Sequence, residues 1–323
     1  MTMSNLLEVK NLSVVFHTDF GDVHAVRDAS FEVGRGEIYG VVGESGSGKS
    51  VTTKAVMRIN PPNGEVVAGE IAFDDRDILS LPEADFRAYR GRRISTIFQD
   101  SLSALNPVYT VGSKLVELLT RLQDISKRDA RQRALELLQK VGITEPERCF
   151  KSYPHELSGG MRQRVMIAMA ISCDPELVIA DEPTTALDVT IQAQILHLIR
   201  DISRSRGMSV ILITHDLGVV AQLCGRASVM CGGYVVETGD IRDIFHGAAH
   251  PYTRALIASM PRVDRPFESF LERERERETS ERALCPFLER CAEAREVCRE
   301  ILPEMMWLSG RHCARCWRLM ERE

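Results

Sequence analysis

Eight consecutive residues, Gly43-Glu44-Ser45-Gly46-Ser47-Gly48-Lys49-Ser50, have the types and spacing of a loop that grips phosphate. Glycines let successive backbone N–H groups converge on anionic oxygens at a helix N-terminus, where the macrodipole adds attraction for negative charge. In such a loop Lys49 reaches the β- and γ-phosphates of a nucleotide, and Ser50 offers its hydroxyl to Mg²⁺. The flanks fit, because Ile38-Tyr39-Gly40-Val41-Val42 has strand character and Val51 to Met57 can continue as a helix. Two more apolar runs end in groups able to do chemistry. Leu177-Val178-Ile179-Ala180 delivers Asp181 and Glu182, and Val210 to Ile213 delivers His215. Ser158-Gly159-Gly160 opens a second glycine-initiated helix, with Arg162 and Arg164 near its start, and is another anion site by the same physics.

These groups need a scaffold that brings strand ends together. Residues 6–16 and 23–33 alternate apolar and polar, as strands of a half-exposed antiparallel sheet do, and 65–73 looks like another strand pair. Between the first two strands lie Phe16 and Phe20, either of which could stack on an adenine ring or pack at a strand end. Ile94 to Phe98 is a short buried strand ending at Gln99. From about 108 to 156 the pattern turns helical, with Leu115, Leu118, Leu119 and Leu122 on one face and Ala134, Leu135, Leu138 and Val141 on another. Helices over 161–173 and 190–205 then alternate with the strands that end at Asp181 and His215. Alternation of this kind predicts a parallel α/β core, whose ligands sit at the carboxyl ends of the strands.

Bulk properties narrow the partners. With 323 residues the chain has room for one large core or about two domains. A net charge of -5 gives no general reason to expect nucleic acid as a partner. There is no basic segment followed by a long apolar stretch at the N-terminus and no run of membrane-spanning length, so a cytosolic location is expected. Of nine cysteines, five (Cys285, Cys291, Cys298, Cys313 and Cys316) fall in the last 39 residues, which in a reducing compartment suggests metal ligation more than disulfides.

Taken in order, Gly43 to Ser50 (Walker A), Gln99 (Q-loop), Leu157-Ser158-Gly159-Gly160-Met161 (signature), Leu177 to Glu182 (Walker B), Ala186-Leu187-Asp188 (D-loop) and His215 (H-switch) make the chain resemble the ATP-binding cassette (ABC) ATPases over residues 6 to about 240. The resemblance implies an α/β P-loop core of parallel strands with an antiparallel N-terminal sheet, over 1–105 and 157–262, and a helical subdomain over 106–156. It implies ATP and Mg²⁺ as cofactors, with Ser50, Gln99 and Asp181 at the metal, and with Phe16, the whole loop from Gly43 to Ser50, and Val51 at the nucleotide. Glu182, one residue beyond the metal-organising aspartate, is the candidate general base, and the family implies that His215 contacts the γ-phosphate. In the family the signature of one subunit closes on the nucleotide of its partner. Ser158, Gly159 and Gly160 would therefore serve a second subunit's site, with Asp188 at the seam, and the isolated chain would be nearly inactive.

His250-Pro251-Tyr252-Thr253-Arg254-Ala255-Leu256 followed by a cysteine-rich tail is similar to the peptide and nickel importer branch of the family. That similarity implies a peripheral ATPase on the cytoplasmic face of the membrane, paired with a homologous second ATPase beneath two permeases and fed by an extracytoplasmic binding protein. Di- and oligopeptides are the leading cargo, with nickel complexes or glutathione-like peptides as alternatives. A soluble ABC ATPase acting on nucleic acid is the rival from another class. In the tail (285–323) the family pattern favours Cys285, Cys291, Cys298 and Cys316 over Cys313. Four thiolates suit a [4Fe-4S] cluster or a tetrahedral zinc ion, and reduced thiols packing a small helical tail are the third reading. Residues 263–284, where Glu272 to Glu278 alternates strictly with arginine, are expected to be a solvated linker.

Overall fold

The structure, a computed structural model, describes residues 5–185, 187–260 and 284–321, with the side chains of Leu102, Ser103 and Glu321 left aside. The linker predicted over 263–284 falls, but for Leu284, outside the described residues, as does Ala186. The chain is α/β and divides into two compact units, residues 34–38 with 80–213, and residues 5–33, 39–79 and 214–321.

The second unit holds the N-terminal hairpin, β1 (Asn5–Thr18) and β2 (Gly21–Gly34), then β3 (Ile38–Val42), α1 (Lys49–Met57), β4 (Gly64–Phe73) and β5 (Arg76–Asp77). One sheet runs β2-β1-β4-β5, and β1 pairs antiparallel with β4 from Leu7↔Phe73 to Phe16↔Gly64. The alternation in the sequence is the cause: Leu7, Val9, Val14, Ile71 and Phe73 all turn to the core and are fully buried. The stretch read as a strand pair is one strand. Gly69 sits where the β1–β4 register shifts, opposite two β1 residues, Asn11 and Leu12, so the irregularity there is a bulge in the β1–β4 pair and not a turn.

Later in the same unit come α9 (Leu217–Leu223), β9 (Arg226–Cys231), β10 (Tyr234–Asp240), α10 (Ile241–Gly247) and α11 (Pro251–Ala258). The tail adds α12 (Val297–Glu300), β11 (Met306–Ser309) and β12 (His312–Ala314). Here the strand order is β11-β12-β10-β9-β3, with β3 parallel to β9 and β12 antiparallel to β10. The tail is therefore not a helical appendage: its hairpin extends a sheet. A buried carboxylate fastens it. Glu237 on β10, fully buried, accepts from the backbone N–H groups of Ala249 (2.8 Å) and His250 (2.9 Å), and its Oε1 lies 2.7 Å from His312 Nε2 on β12. Burial raises the Glu237 pKa, but these bonds more than offset it and hold the carboxyl below its ordinary range.

The first unit contains β6 (Ile94–Ile97), β7 (Leu177–Asp181) and β8 (Ser209–Thr214), parallel in the order β8-β7-β6. Its helices are α2 (Glu83–Phe86), α3 (Ser101–Ala104), α4 (Val111–Gln123), α5 (Lys127–Lys140), α6 (Pro146–Lys151), α7 (Gly159–Ala170) and α8 (Val189–Arg206). Every residue of β7 and β8 is buried, which explains their continuous apolar runs. Helices α4 and α5 start where Thr110 and Ser126 cap the N–H groups of Ser113 and Asp129, and they bury Leu115, Leu119, Ala134 and Leu138 as the periodicity predicts. Leu137 takes the core place that the pattern gave to Leu135.

Candidate active site

In the second unit the loop after β3 curls tightly before α1. A Cβ at Gly43 would meet the Met230 carbonyl oxygen at 2.2 Å and Ser47 Oγ at 2.8 Å, so no side chain fits there. Gly48 caps α1 with φ +102°, and a Cβ on it would meet the Ala25 carbonyl oxygen at 2.6 Å. Buried Lys49 donates from Nζ to the carbonyls of Gly43 and Glu44, both at 2.7 Å, so its ammonium lies inside the curl. The Ser47 carbonyl accepts from Gly233 N–H at 3.0 Å, which pins the curl to the β9–β10 turn. Glu44 is held most firmly of all. Its N–H donates to the Tyr252 hydroxyl (2.9 Å), and its carboxylate accepts from both terminal nitrogens of Arg290, at 2.8 and 3.0 Å. Ser45, Gly46 and Ser47 form the rest of the turn, and Ser50 and Val51 lie in the first turn of α1.

In the first unit Asp181 is the last residue of β7 and is buried, in register with Ile213 of β8. Glu182 leaves the strand with φ +44°, a left-handed conformation that a glutamate adopts only at some cost, about 1 kcal/mol. Its N–H is nevertheless bonded to the Ile213 carbonyl at 3.0 Å. The carboxylate is aimed by two donors, Gln99 Nε2 at 2.9 Å and Thr185 Oγ1 at 2.8 Å, both to Oε2. Strain at one backbone position and two donors on one oxygen mark a side chain whose direction matters. Gln99 and Glu182, given separate roles from the sequence, are direct partners.

The remaining predicted residues stand as follows. Ser158 caps α7, accepting from Met161 N–H at 3.3 Å, and Gly159 and Gly160 form that helix's first turn. Asp188 caps α8 through Ile191 N–H at 2.9 Å. His215 is exposed in the turn between β8 and α9. Phe16 lies within β1, half-buried against Gly64, whereas Phe20 is fully exposed at the hairpin tip, so only Phe20 is a loop residue. Three participants escape sequence reading: Thr185, Tyr252 and Arg290. For Tyr252 the His-Pro-Tyr segment was a signal, since Pro251 at a helix start fixes the tyrosine in the first turn of α11.

Four of the tail cysteines come together. Cys285, Cys291, Cys298 and Cys316 line one small cavity, with Phe287 and Leu288 among its apolar walls. Three of these sulfurs accept from the N–H two residues further on, those of Phe287, Glu293 and Arg318. Burial pushes the Cys285 thiol up to about 11 and raises Cys291 and Cys316 as well. Cys313 is elsewhere, buried on β12 opposite Thr238 and outside the cavity that the four line. Among the described residues no group of three or more His, Cys, Asp or Glu side chains stands at metal-binding geometry.

A glycine-built phosphate loop and a strand-end carboxylate pair define a P-loop ATPase, and similarity to known proteins narrows the class. The ABC transporter family profile matches residues 26–185, and the profile of the oligopeptide/dipeptide transporter C-terminal region matches residues 236–298. The dipeptide transport ATP-binding protein DppD of Bacillus subtilis (strain 168) is 47% identical over 98% of this chain and 95% of its own length. The oligopeptide transport ATP-binding protein OppD of Escherichia coli (strain K12) is 45% identical, over 95% and 91%. Among solved structures, the dimeric ATP-binding cassette MJ0796 in a post-hydrolysis state with ADP and Pi superposes with a TM-score of 0.66 at 27% identity, covering 73% of this chain and 99% of that one. The chain belongs to the ATP-binding subunits of ABC transporters, in the oligopeptide/dipeptide branch. It is an ATP-binding and ATP-hydrolysing protein with the ABC ATPase fold.

Proposed function

We propose that this chain is the ATP-hydrolysing subunit of an importer that carries di- and oligopeptides across the cytoplasmic membrane. The observation that carries the substrate class is the joint match of both profiles, together with likeness to a dipeptide transport protein along nearly its whole length. Within the proposal, the amides of the loop from Gly43 to Ser50 and the Lys49 ammonium hold the β- and γ-phosphates. Ser50, Asp181 and Gln99 would hold Mg²⁺, an all-oxygen set suited to a hard cation, which supplies charge neutralisation at the phosphates. Glu182 takes the proton of the attacking water at Oε1 or Oε2, with Gln99 and Thr185 fixing the carboxylate. His215 faces the γ-phosphate. The signature residues Ser158, Gly159 and Gly160, with Asp188, serve a homologous partner ATPase. Two permeases and an extracytoplasmic binding protein complete the assembly, and the chain sits peripherally on the membrane; no described helix is long and apolar enough to cross one. Nickel complexes and glutathione-like peptides are the alternative cargoes.

The experiment is uptake of labelled dipeptide, tripeptide and nickel by cells in which Lys49→Ala replaces the native chain. Selective loss of peptide uptake is expected. Loss of nickel uptake alone would move the cargo to the alternative, and normal uptake of all three would remove the importer reading.

The tail is read as a [4Fe-4S] site formed by Cys285, Cys291, Cys298 and Cys316. What supports it is their shared cavity and the N–H bonds to three of the sulfurs, since N–H donors of this kind stabilise thiolate ligands and tune cluster potential. Zinc uses the same donors. Anaerobic purification with iron, sulfide and zinc assays separates the two: about four irons and four sulfides per chain are expected, one zinc would replace the cluster reading, and metal-free protein with an ordered tail would end both.

A further inference from the structure

The C-terminal tail reaches the phosphate loop directly. Arg290 lies between Cys285 and Cys291, and its guanidinium binds the Glu44 carboxylate in a fork, at 2.8 and 3.0 Å. The arginine is itself held in place. Its guanidinium carbon stands 5.2 Å from the Phe287 ring centroid and 6.0 Å from that of Tyr252, and these two rings meet edge to face at 5.4 Å. Tyr252 in turn accepts the Glu44 N–H, while Lys49 takes the Glu44 carbonyl. Each polar group of Glu44 is therefore bonded, and two of its partners, Tyr252 and Arg290, come from beyond residue 250. The tail's fit is close on the neighbouring turn too, because a Cβ on Gly232 would meet Pro286 at 2.5 Å.

A phosphate loop binds well when its amides already point inward, since ordering them on binding costs affinity. Glu44 is the second residue of the loop, so fixing its carboxylate and its N–H fixes where the curl begins. We infer that Arg290 is a positioning residue for the phosphate loop: acting through Glu44, the tail sets the loop's resting shape and with it the affinity for MgATP. This rests on the reading of Gly43 to Ser50 as the loop that holds ATP. Bidentate arginine–carboxylate pairs are among the stronger hydrogen-bonded contacts, and partial exposure of both side chains, 25% and 30%, reduces the effect here.

The test is equilibrium binding of MgATP to the full-length chain, beside the KM for ATP and the kcat of the assembled transporter. Arg290→Ala is expected to raise the Kd about tenfold and KM in parallel, with kcat little changed, and Arg290→Lys, which keeps charge but loses the fork, to raise Kd about threefold. Glu44→Gln should weaken binding about as much as Arg290→Ala, and combining the two should add little, because Arg290 acts through Glu44. Both tryptophans, Trp307 and Trp317, lie in the tail, so their fluorescence reports whether it stays folded in Arg290→Ala. Glu44→Gln changes no residue of the tail, and with tail fluorescence unchanged it keeps the test decisive if Arg290→Ala unfolds the tail. Unchanged Kd in either variant, or full additivity in the pair, overturns the inference. Failure of the unaltered chain to bind MgATP would instead overturn the reading of the loop.

Discussion

A carboxylate that is to accept a proton works only if it is held in one direction, and Glu182, the proposed general base, is so held: its backbone is turned to φ +44° and Oε2 accepts from Gln99 and Thr185. Replacing it tests the role without emptying the site. In the assembled transporter Glu182→Gln is expected to lower kcat by about 10²- to 10⁴-fold with MgATP affinity retained, as loss of a general base requires; a binding assay and a turnover assay on the same preparation check both halves. Thr185→Val removes one of the two donors and is expected to lower kcat about three- to tenfold, on the order of one ordinary hydrogen bond. The difference between these residues is also the difference in what a sequence discloses. Glu182 follows an apolar strand and an aspartate, a pattern with a mechanism, and so was legible. Thr185 is one hydroxyl in a turn, and its use is defined only by where Glu182 points. Arg290 is further out of reach, 246 residues from Glu44, in a segment whose cysteines draw attention to a different chemistry.

At the scale of elements, α11 depends on a neutral histidine. His250 caps the helix by accepting Tyr252 N–H on Nδ1 at 3.0 Å, and burial holds its pKa down at about 4, against the ordinary 6.5. The unfolded chain therefore takes up this proton below about pH 6.5 and the native one only near 4. Stability from this group is present at neutral pH and is lost as pH falls from about 6.5 towards 4, by about 3 kcal/mol in all. Denaturant midpoints at pH 7 and pH 5 read the slope, and His250→Asn, which keeps a capping acceptor but cannot titrate, is expected to flatten it. Glu237 acts in a lower window. Its depressed pKa means its contribution persists until pH drops below the ordinary carboxylate value and is then lost as the carboxyl protonates. The long amphipathic α4 and α5 and the wholly buried β7 and β8 were legible because each repeats one period over many residues. The β11–β12 hairpin was not, since strands of four and three residues are too short for alternation to register, and Trp307 is largely exposed. What makes them strands is pairing with β10 and the His312–Glu237 contact, both distant in sequence.

At the scale of the whole molecule, the phosphate loop is held by the C-terminal tail as well as by the strand before it. Removal of the tail at residue 284 is expected to weaken MgATP binding beyond the Arg290→Ala effect, because the Phe287 packing on Tyr252 goes with it; equilibrium dialysis of MgATP against the truncated chain measures this. The proposed function requires that hydrolysis by this chain drives peptides across a membrane. The most direct measurement is transport of labelled dipeptide into vesicles holding the assembled transporter, with ATP supplied on the side of this chain, beside the Glu182→Gln assembly. Accumulation that needs ATP and disappears in the Glu182→Gln assembly is the predicted result. Peptide accumulation unaffected by Glu182→Gln, or ATP turnover with no peptide movement, would contradict it.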